Sequence, residues 1–270
     1  MKSMTLSEIW IYPIKSMGGI SLRSASILPK GLDLDRRWML VDDKGAFMTQ
    51  RNYPQMALFK VSLAGDHIQV AYRNDTLSIP INPKPGTSTR TKIWKDEVTV
   101  VQTAPGFDNW FSARIGVACR LVAFPEENPR TVERGHRGAE DHARLQDAFP
   151  FLIIGQGSMD ELNRRLETPV SIDRFRPNLV FTGGDPHEED TWRDFTIGGL
   201  PFLATRTCGR CTIPGVDQHT GRKGKEPLAT LARYRQVGNT IMFGMNAVGP
   251  GTGEINIGDA VKVGVAENIL

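Results

Sequence analysis

Between residues 59 and 81 apolar positions recur with a period of two: Phe59, Val61 and Leu63, a Gly65-Asp66 turn, Ile68, Val70 and Tyr72, then Leu77, Ile79 and Ile81. Val98 and Val100 repeat the pattern after Lys95-Asp96. Successive side chains of a strand point to opposite faces, so this period means strands with one buried face. Apolar runs at 9–12 and 22–28 add two more strands, separated by the turn sequence K-S-M-G-G at 15–19. The first hundred or so residues are therefore expected to be almost all β. Five or more short strands at this spacing predict a barrel or sandwich.

Helical signals enter later. Phe107, Trp110, Phe111 and Arg114 fall at i, i+3, i+4 and i+7 ahead of Gly116, which predicts a short helix with a core-facing aromatic stripe. Ser158-Met159-Asp160-Glu161 has the form of a capping box, with Met159, Leu162 and Leu166 on the helix face it would open. Pro227 suits the first turn of a third helix bearing Leu228, Leu231 and Tyr234. Strands are expected at 151–154, directly after F-R-P-N (175–178), at 241–248 and at 254–263. Charge dominates 126–144, which reads as a linker or a mobile loop over a site, with His136 and His142 solvated. The fold class expected is α+β, β-rich and barrel-like with a few short helices, in two packed domains, 1–124 and 125–270.

Composition excludes several classes. A net charge of +3 over 270 residues is too small to argue for nucleic acid, so an anionic partner must meet a local cluster. Three cysteines, an odd number, fit a reducing compartment better than a disulfide scaffold. No apolar stretch is long enough for a signal peptide or a bilayer span, which makes the cytoplasm the expected location and a membrane partner unexpected.

Chemistry concentrates at 206–226, R-T-C-G-R-C-T-I-P-G-V-D-Q-H-T-G-R-K-G-K-E. Cys208 and Cys211 follow the apolar run 200–204, placing the thiols where a strand gives way to a loop. Arg206, Arg210, Arg222, Lys223 and Lys225 surround them and favour ionised sulfur or an anionic ligand. Three chemistries use such a pair. A structural zinc site needs four ligands, but only His219 and Asp217 are close in sequence. A thioredoxin-like pair needs a helix after the first cysteine, whereas Thr212-Ile213-Pro214-Gly215 is extended or turn-forming. A single thiolate on a transition metal whose other ligands come from a bound cofactor needs one cysteine and accounts for the cations.

Cations also sit where other strands begin or end. Lys15 and Ser16 lie in the first turn, readable as a solvated hairpin loop. Asp33, Asp35, Arg36 and Arg37 precede an apolar strand, either as a weak surface cluster or with one arginine turned inward to hold an anion. Arg176 and Asn178 flank Pro177, which marks an edge or the start of a strand.

Six segments in one order carry a resemblance: Y-P-I-K-S, D-L-D-R-R-W-M-L, M-T-Q-R, F-R-P-N, C-G-R-C-T-I-P-G-V-D-Q-H-T-G and K-E-P-L-A-T-L. Together they resemble the MOSC family, and within it the mitochondrial amidoxime-reducing component and its bacterial relatives. The resemblance implies an N-terminal MOSC β-barrel followed by the MOSC domain. It also implies a molybdenum cofactor, Mo-molybdopterin, whose dithiolene sulfurs are joined by one protein cysteine. That cysteine maps onto Cys211, with Cys208 and Arg210 beside it. Lys15, Ser16, Arg36, Arg176 and Asn178 map onto positions that hold the pterin and its phosphate. Asp217, the acid of a V-D-P-x-T-G segment, is implied as a proton donor, although Gln218 here replaces the usual proline. The implied activity is reduction of N-hydroxylated compounds: amidoximes, hydroxylamines and N-hydroxylated bases. No cysteine follows Cys211 and no G-x-G-x-x-G follows a strand, so the electrons are expected from a separate donor protein, a ferredoxin, flavodoxin or flavoprotein reductase. The basic cluster at 210–225 is its expected docking surface. The alternatives are a non-catalytic carrier of the cofactor or of sulfur, and a zinc-stabilised β-domain.

Overall fold

The computed structural model describes residues 3–83, 86–132 and 141–264. Its centre is a closed sheet. Phe151–Gly155 pairs in turn with Leu179–Thr182, Met4–Ile11, Ala260–Val263, Asp194–Ile197, Leu200–Arg210 and Thr240–Val248, and the last pairs back onto the first. Closure leaves no unpaired edge among these seven strands, and all neighbours except Phe151–Gly155 and Leu179–Thr182 are antiparallel. Inside lie Leu6, Ile9, Ile11, Ile153, Leu179, Phe195, Ile197, Phe202 and Ala247, all essentially without solvent contact.

The alternating segment forms the sheets expected of it. Lys60–Ala64, His67–Tyr72 and Asp75–Pro80 make an antiparallel meander, with Phe59, Val61, Ile68, Val70 and Ile79 on the buried face. Trp38–Asp42, Cys119–Ala123, Asp96–Gln102 and Ser88–Ile93 make a four-stranded sheet. The helix Pro105–Ile115 lies beside these sheets, closed by Gly116 in the left-handed conformation (φ 84°), and its aromatic stripe is core, with Phe111 fully buried. The first strand of the chain, Met4–Ile11, belongs to the barrel otherwise built from residues beyond 150, so the halves share a sheet as well as a core.

Four expectations change. The helix Gln156–Arg165 starts two residues before Ser158, and no capping box forms. Ser158 Oγ instead donates to the buried Glu189 carboxylate (2.8 Å), while Glu161 pairs with Arg164 and Arg165. Strand Leu200–Arg210 runs through Cys208, so only Cys211 lies beyond its end. The final strand is two, Gly253–Asn256 and Ala260–Val263, in different sheets. The charged stretch is not a solvated linker over its described parts. Arg130 donates to the Arg144 and Gln146 carbonyls (2.6 and 2.7 Å), and fully buried Arg144 pairs with Glu126 at 2.7 Å. His142 is half-buried and bridges Thr131, while His136 lies outside the described residues.

Candidate functional site

Barrel topology brings distant motifs to one rim. Ile9 pairs with Leu179, Ile153 with Leu179, and Arg210 with Ile241. The residues just outside these pairs, Lys15 and Ser16, Arg176 and Asn178, and Cys208 to Cys211, therefore meet. They line a cavity of about 500 Å³ together with Arg36. Arg206, expected beside the thiols, and Arg51, Trp94, Gln146, Asp147 and Asn246, which the sequence did not place there, complete its polar wall. Eight of the nine predicted residues are present, and Asp217 is the exception.

The local backbone explains how these side chains turn inward. Among the described residues seven non-glycine positions adopt positive φ, and four of them line this cavity: Ser16 (66°), Arg36 (48°), Trp94 (56°) and Arg176 (57°). Each left-handed residue reverses the chain at a strand end, and such strain gathers where function needs it. On the thiol side, register shifts between Ala204 and Arg206 and between Thr207 and Gly209 break the pairing with Thr240–Val248 and re-aim Cys208. Gly209 leaves room there for Thr240, since a Cβ would stand 2.7 Å from Thr240 Cγ2 and force one of the two to shift.

Six cationic side chains, Lys15, Arg36, Arg51, Arg176, Arg206 and Arg210, face one carboxylate, Asp147. Their contacts divide them. Lys15 is committed, with Nζ donating to Asp147 Oδ1 (2.6 Å) and the Leu145 carbonyl (2.7 Å). Burial alone would raise the Asp147 carboxyl, but Lys15 outweighs it, with help from Arg51 and the Trp94 N–H, and the group falls to about 2. Arg36 is also committed: Nη1 bonds both oxygens of the fully buried Asp35 (2.7 and 2.8 Å), and Nη2 reaches the Arg176 carbonyl (3.1 Å).

Arg176 is different. Nη1 donates to the Met17 carbonyl (2.6 Å), while Nη2 is buried with no partner among the described residues. Burial and the neighbouring Arg36 charge pull this guanidinium down to about 10. Arg51 Nη1 and Arg210 Nε are orphaned in the same way. A buried donor without an acceptor costs about 1–3 kcal/mol, so three at one cavity describe a place prepared for an anion with several acceptors. Asn178 holds the rim itself, its side chain bonding the Leu152 N–H (3.3 Å) and the Trp10 carbonyl (3.2 Å).

The thiols differ too. Arg210 Nη1 donates to Cys208 Sγ (3.2 Å) and Nη2 to the Phe175 carbonyl (2.7 Å), fixing Cys208 beside a guanidinium. Cys211 lines the same cavity, half-buried, just after the strand end. Among the described residues no three His, Cys, Asp or Glu side chains converge to hold a metal by protein donors alone. A metal here would bring most of its own ligands. A phosphorylated pterin dithiolene meets that condition, and its phosphate and ring edges match the orphaned donors. The residues present fit the group.

Asp217 lies in the loop behind the cavity. Oδ1 accepts from the His219 and Thr220 N–H groups (3.0 and 2.8 Å) and from the Thr220 hydroxyl (2.9 Å), while Oδ2 pairs with Arg174. Burial would raise its pKa, but these hydrogen bonds and Arg174 together outweigh burial and hold it below the usual carboxylate range. Outside the cavity, Asp217 shapes the loop through these bonds. Its neighbour Gln218 exchanges two hydrogen bonds with Gln50 (3.1 and 2.9 Å), and Gln50 Nε2 also reaches the Ser16 carbonyl (2.9 Å). Three of the six segments are thus tied behind the wall by one amide pair. The signal for Gln50 and Arg51 was their place in M-T-Q-R, which gave no role to either.

A β-barrel whose rim carries this cation-lined, cysteine-edged cavity defines the class, and the chain belongs to the MOSC family. The MOSC N-terminal beta barrel domain matches residues 3–118, and the MOSC domain matches residues 140–262. Relatives include mitochondrial amidoxime-reducing component 1 of Mus musculus, 32% identical over 278 residues, covering 95% of this chain and 81% of that protein. The Homo sapiens protein of the same name is 32% identical over 280 residues, covering 95% and 82%. The molybdenum cofactor sulfurase of Oryza sativa subsp. japonica is 31% identical over 262 residues, 89% of this chain but 32% of that longer protein. A Bacillus subtilis YUAD crystal structure aligns over 97% of this chain and 94% of its own with a TM-score of 0.45 at 11% identity, too weak a likeness to argue from.

Proposed function

We propose that this protein is a molybdenum-cofactor-dependent reductase of N-hydroxylated compounds. The observation that carries the proposal is the 500 Å³ cavity, whose wall combines three orphaned guanidinium donors with the half-buried Cys211 thiol. Relatives named for amidoxime reduction match over nearly the whole chain, which supports the same reading.

Arg176, Arg51 and Arg210 bind the phosphate and pterin edges, and Cys211 ligates the metal. Lys15 and Arg36 tune the wall through Asp147 and Asp35. When bound, the cofactor supplies a two-electron centre able to accept oxygen from nitrogen. In the net reaction an N–OH group takes two electrons and two protons, its N–O bond breaks, and it leaves as N–H and water. Asp147 and Asp217 are both held ionised, so these protons come from solvent at the mouth, where Asp147, Trp94 and Arg206 are exposed. The electrons come from a separate donor protein at the basic ribbon beside Cys211. Arg222 and Lys225 are exposed there, and Lys223 Nζ donates to the Arg51 carbonyl (2.6 Å).

The test uses protein produced in cells that make the pterin. It should contain molybdenum and oxidise a reduced viologen dye when an amidoxime is added. Molybdenum without turnover favours the second reading, a carrier of the cofactor or of sulfur, to which the sulfurase relatives point.

A further inference from the structure

A second cavity, of about 330 Å³, shares a wall with the first: Trp94, Asp147, Ala148, Phe149 and Arg206. Trp94 occupies the turn between Ser88–Ile93 and Asp96–Gln102, with φ 56° and 55% of its surface exposed. An indole left largely in water forgoes about 2 kcal/mol of burial, and a bulky residue at positive φ is an outlier. The ring is nonetheless fixed. Its N–H donates to Asp147 Oδ1 (3.1 Å), the Arg51 guanidinium stacks 4.3 Å from the indole, and Phe47 meets it edge-on at 5.7 Å. Asp147 is the one acid in the shared wall. Oδ1 takes both Lys15 and Trp94, while Oδ2 has no partner among the described residues and the side chain is 47% exposed. Buried Phe149 forms the floor, under the Arg206 guanidinium at 5.2 Å. A rigid aromatic plane beside an ionised, half-satisfied carboxylate recognises a flat ligand that donates N–H groups.

We infer that the second cavity is the substrate subsite. It takes planar, conjugated N-hydroxylated compounds with an amino group next to the reacting N–O, lying against the open part of Trp94 and donating N–H to Asp147 Oδ2. This rests on reading the first cavity as the cofactor site. Saturated hydroxylamines lack both the plane and the second N–H, so Trp94 and Asp147 set the preference between the two classes.

Two measurements test it. In the molybdenum-loaded protein, kcat/KM per molybdenum is compared for an aryl amidoxime and a saturated dialkylhydroxylamine. Asp147→Asn puts an N–H donor where Oδ2 was, and should lower the ratio of the amidoxime value to the hydroxylamine value about tenfold, chiefly through the amidoxime KM, whatever loss both share through the Lys15 pair. Trp94→Leu should lower the amidoxime value about three- to tenfold, and Trp94→Phe should recover most of it. Separately, calorimetry measures binding of the corresponding aryl amidine, which needs no turnover. Asp147→Asn should weaken it about tenfold. If both substrate classes fall in parallel, or amidine affinity is unchanged in Asp147→Asn, the subsite assignment is overturned. Absence of turnover with amidine binding intact would instead count against the reductase reading and leave the subsite standing.

Discussion

Arg36 and Arg176 stack on the same Tyr12 ring, 4.3 and 4.2 Å from its centroid, yet they should behave differently when removed. Both stood out in the sequence as cations at strand ends. What the sequence could not show is that the fold supplies Arg36 with its own anion, Asp35, and leaves Arg176 with a spare donor. Arg36→Ala strands a fully buried carboxylate and should destabilise the cofactor-free protein by about 3 kcal/mol in urea unfolding. Arg176→Ala gives up the Met17 hydrogen bond but also removes an unpaired donor and relieves repulsion from Arg36, so it should cost clearly less cofactor-free stability than Arg36→Ala and lower molybdenum content strongly. Equal destabilisation by the two would make Arg176 structural. The Lys15–Asp147 pair gives a pH signature. Because the folded Asp147 carboxyl is held at about 2 against 3.8 unfolded, its stabilisation is present above about pH 4 and is lost as pH falls toward 2. Asp147→Asn should flatten that acid limb in unfolding measured across it.

At the scale of the element, the deciding feature is the irregular end of Leu200–Arg210. Its two register shifts carry Cys208 and Cys211 toward the cavity, and Gly209 permits the contact with Thr240. Gly209→Ala should therefore lower molybdenum content, and adding Thr240→Ser, which removes the opposing methyl, should restore part of it. No recovery would mean that this contact does not position the thiols. The strands themselves were legible because period-two alternation at 59–81 translates into one buried face, with Leu63 (41% exposed) the position that departs from it, and the helix ending at Gly116 was legible from its stripe and its terminal glycine. The capping box at Ser158 was not, because a buried carboxylate from residue 189 competes for that hydroxyl, and no local pattern reports a partner 31 residues away. Nor was the packing of 126–132 and 141–144. Arginines rich in sequence read as solvated, while Arg130 and Arg144 satisfy themselves on carbonyls and acids brought by the fold.

For the whole molecule, the cavity exists because Met4–Ile11 is stitched into a barrel made otherwise of later strands, so that residues 15, 36, 51 and 94 face residues 147, 176 and 206–211. The proposed domains, 1–124 and 125–270, thus meet at the site, and each supplies three of its six cations. Motif order picked out nine residues, of which the fold gathers eight around one cavity and sets Asp217 in the loop behind it, where its carboxylate caps a turn. Trp94 and Asp147 were invisible and Arg51 had a motif but no role, since only the fold sets them opposite the thiols. Electron delivery belongs to this scale too. Reversing charge at Arg222 and Lys225, both exposed, should raise the KM for a reconstituted protein donor and its sensitivity to salt, and leave dye-driven turnover unchanged. An equal loss of the dye reaction would place those residues in the site instead of on a docking surface. The central claim is that one thiol, Cys211, completes the ligation of a cofactor held by this cavity. The most direct measurement is molybdenum per chain in protein from pterin-competent cells: Cys211→Ser should abolish it and Cys208→Ser should keep most of it, whereas equal loss in both, or zinc in place of molybdenum, would contradict the account.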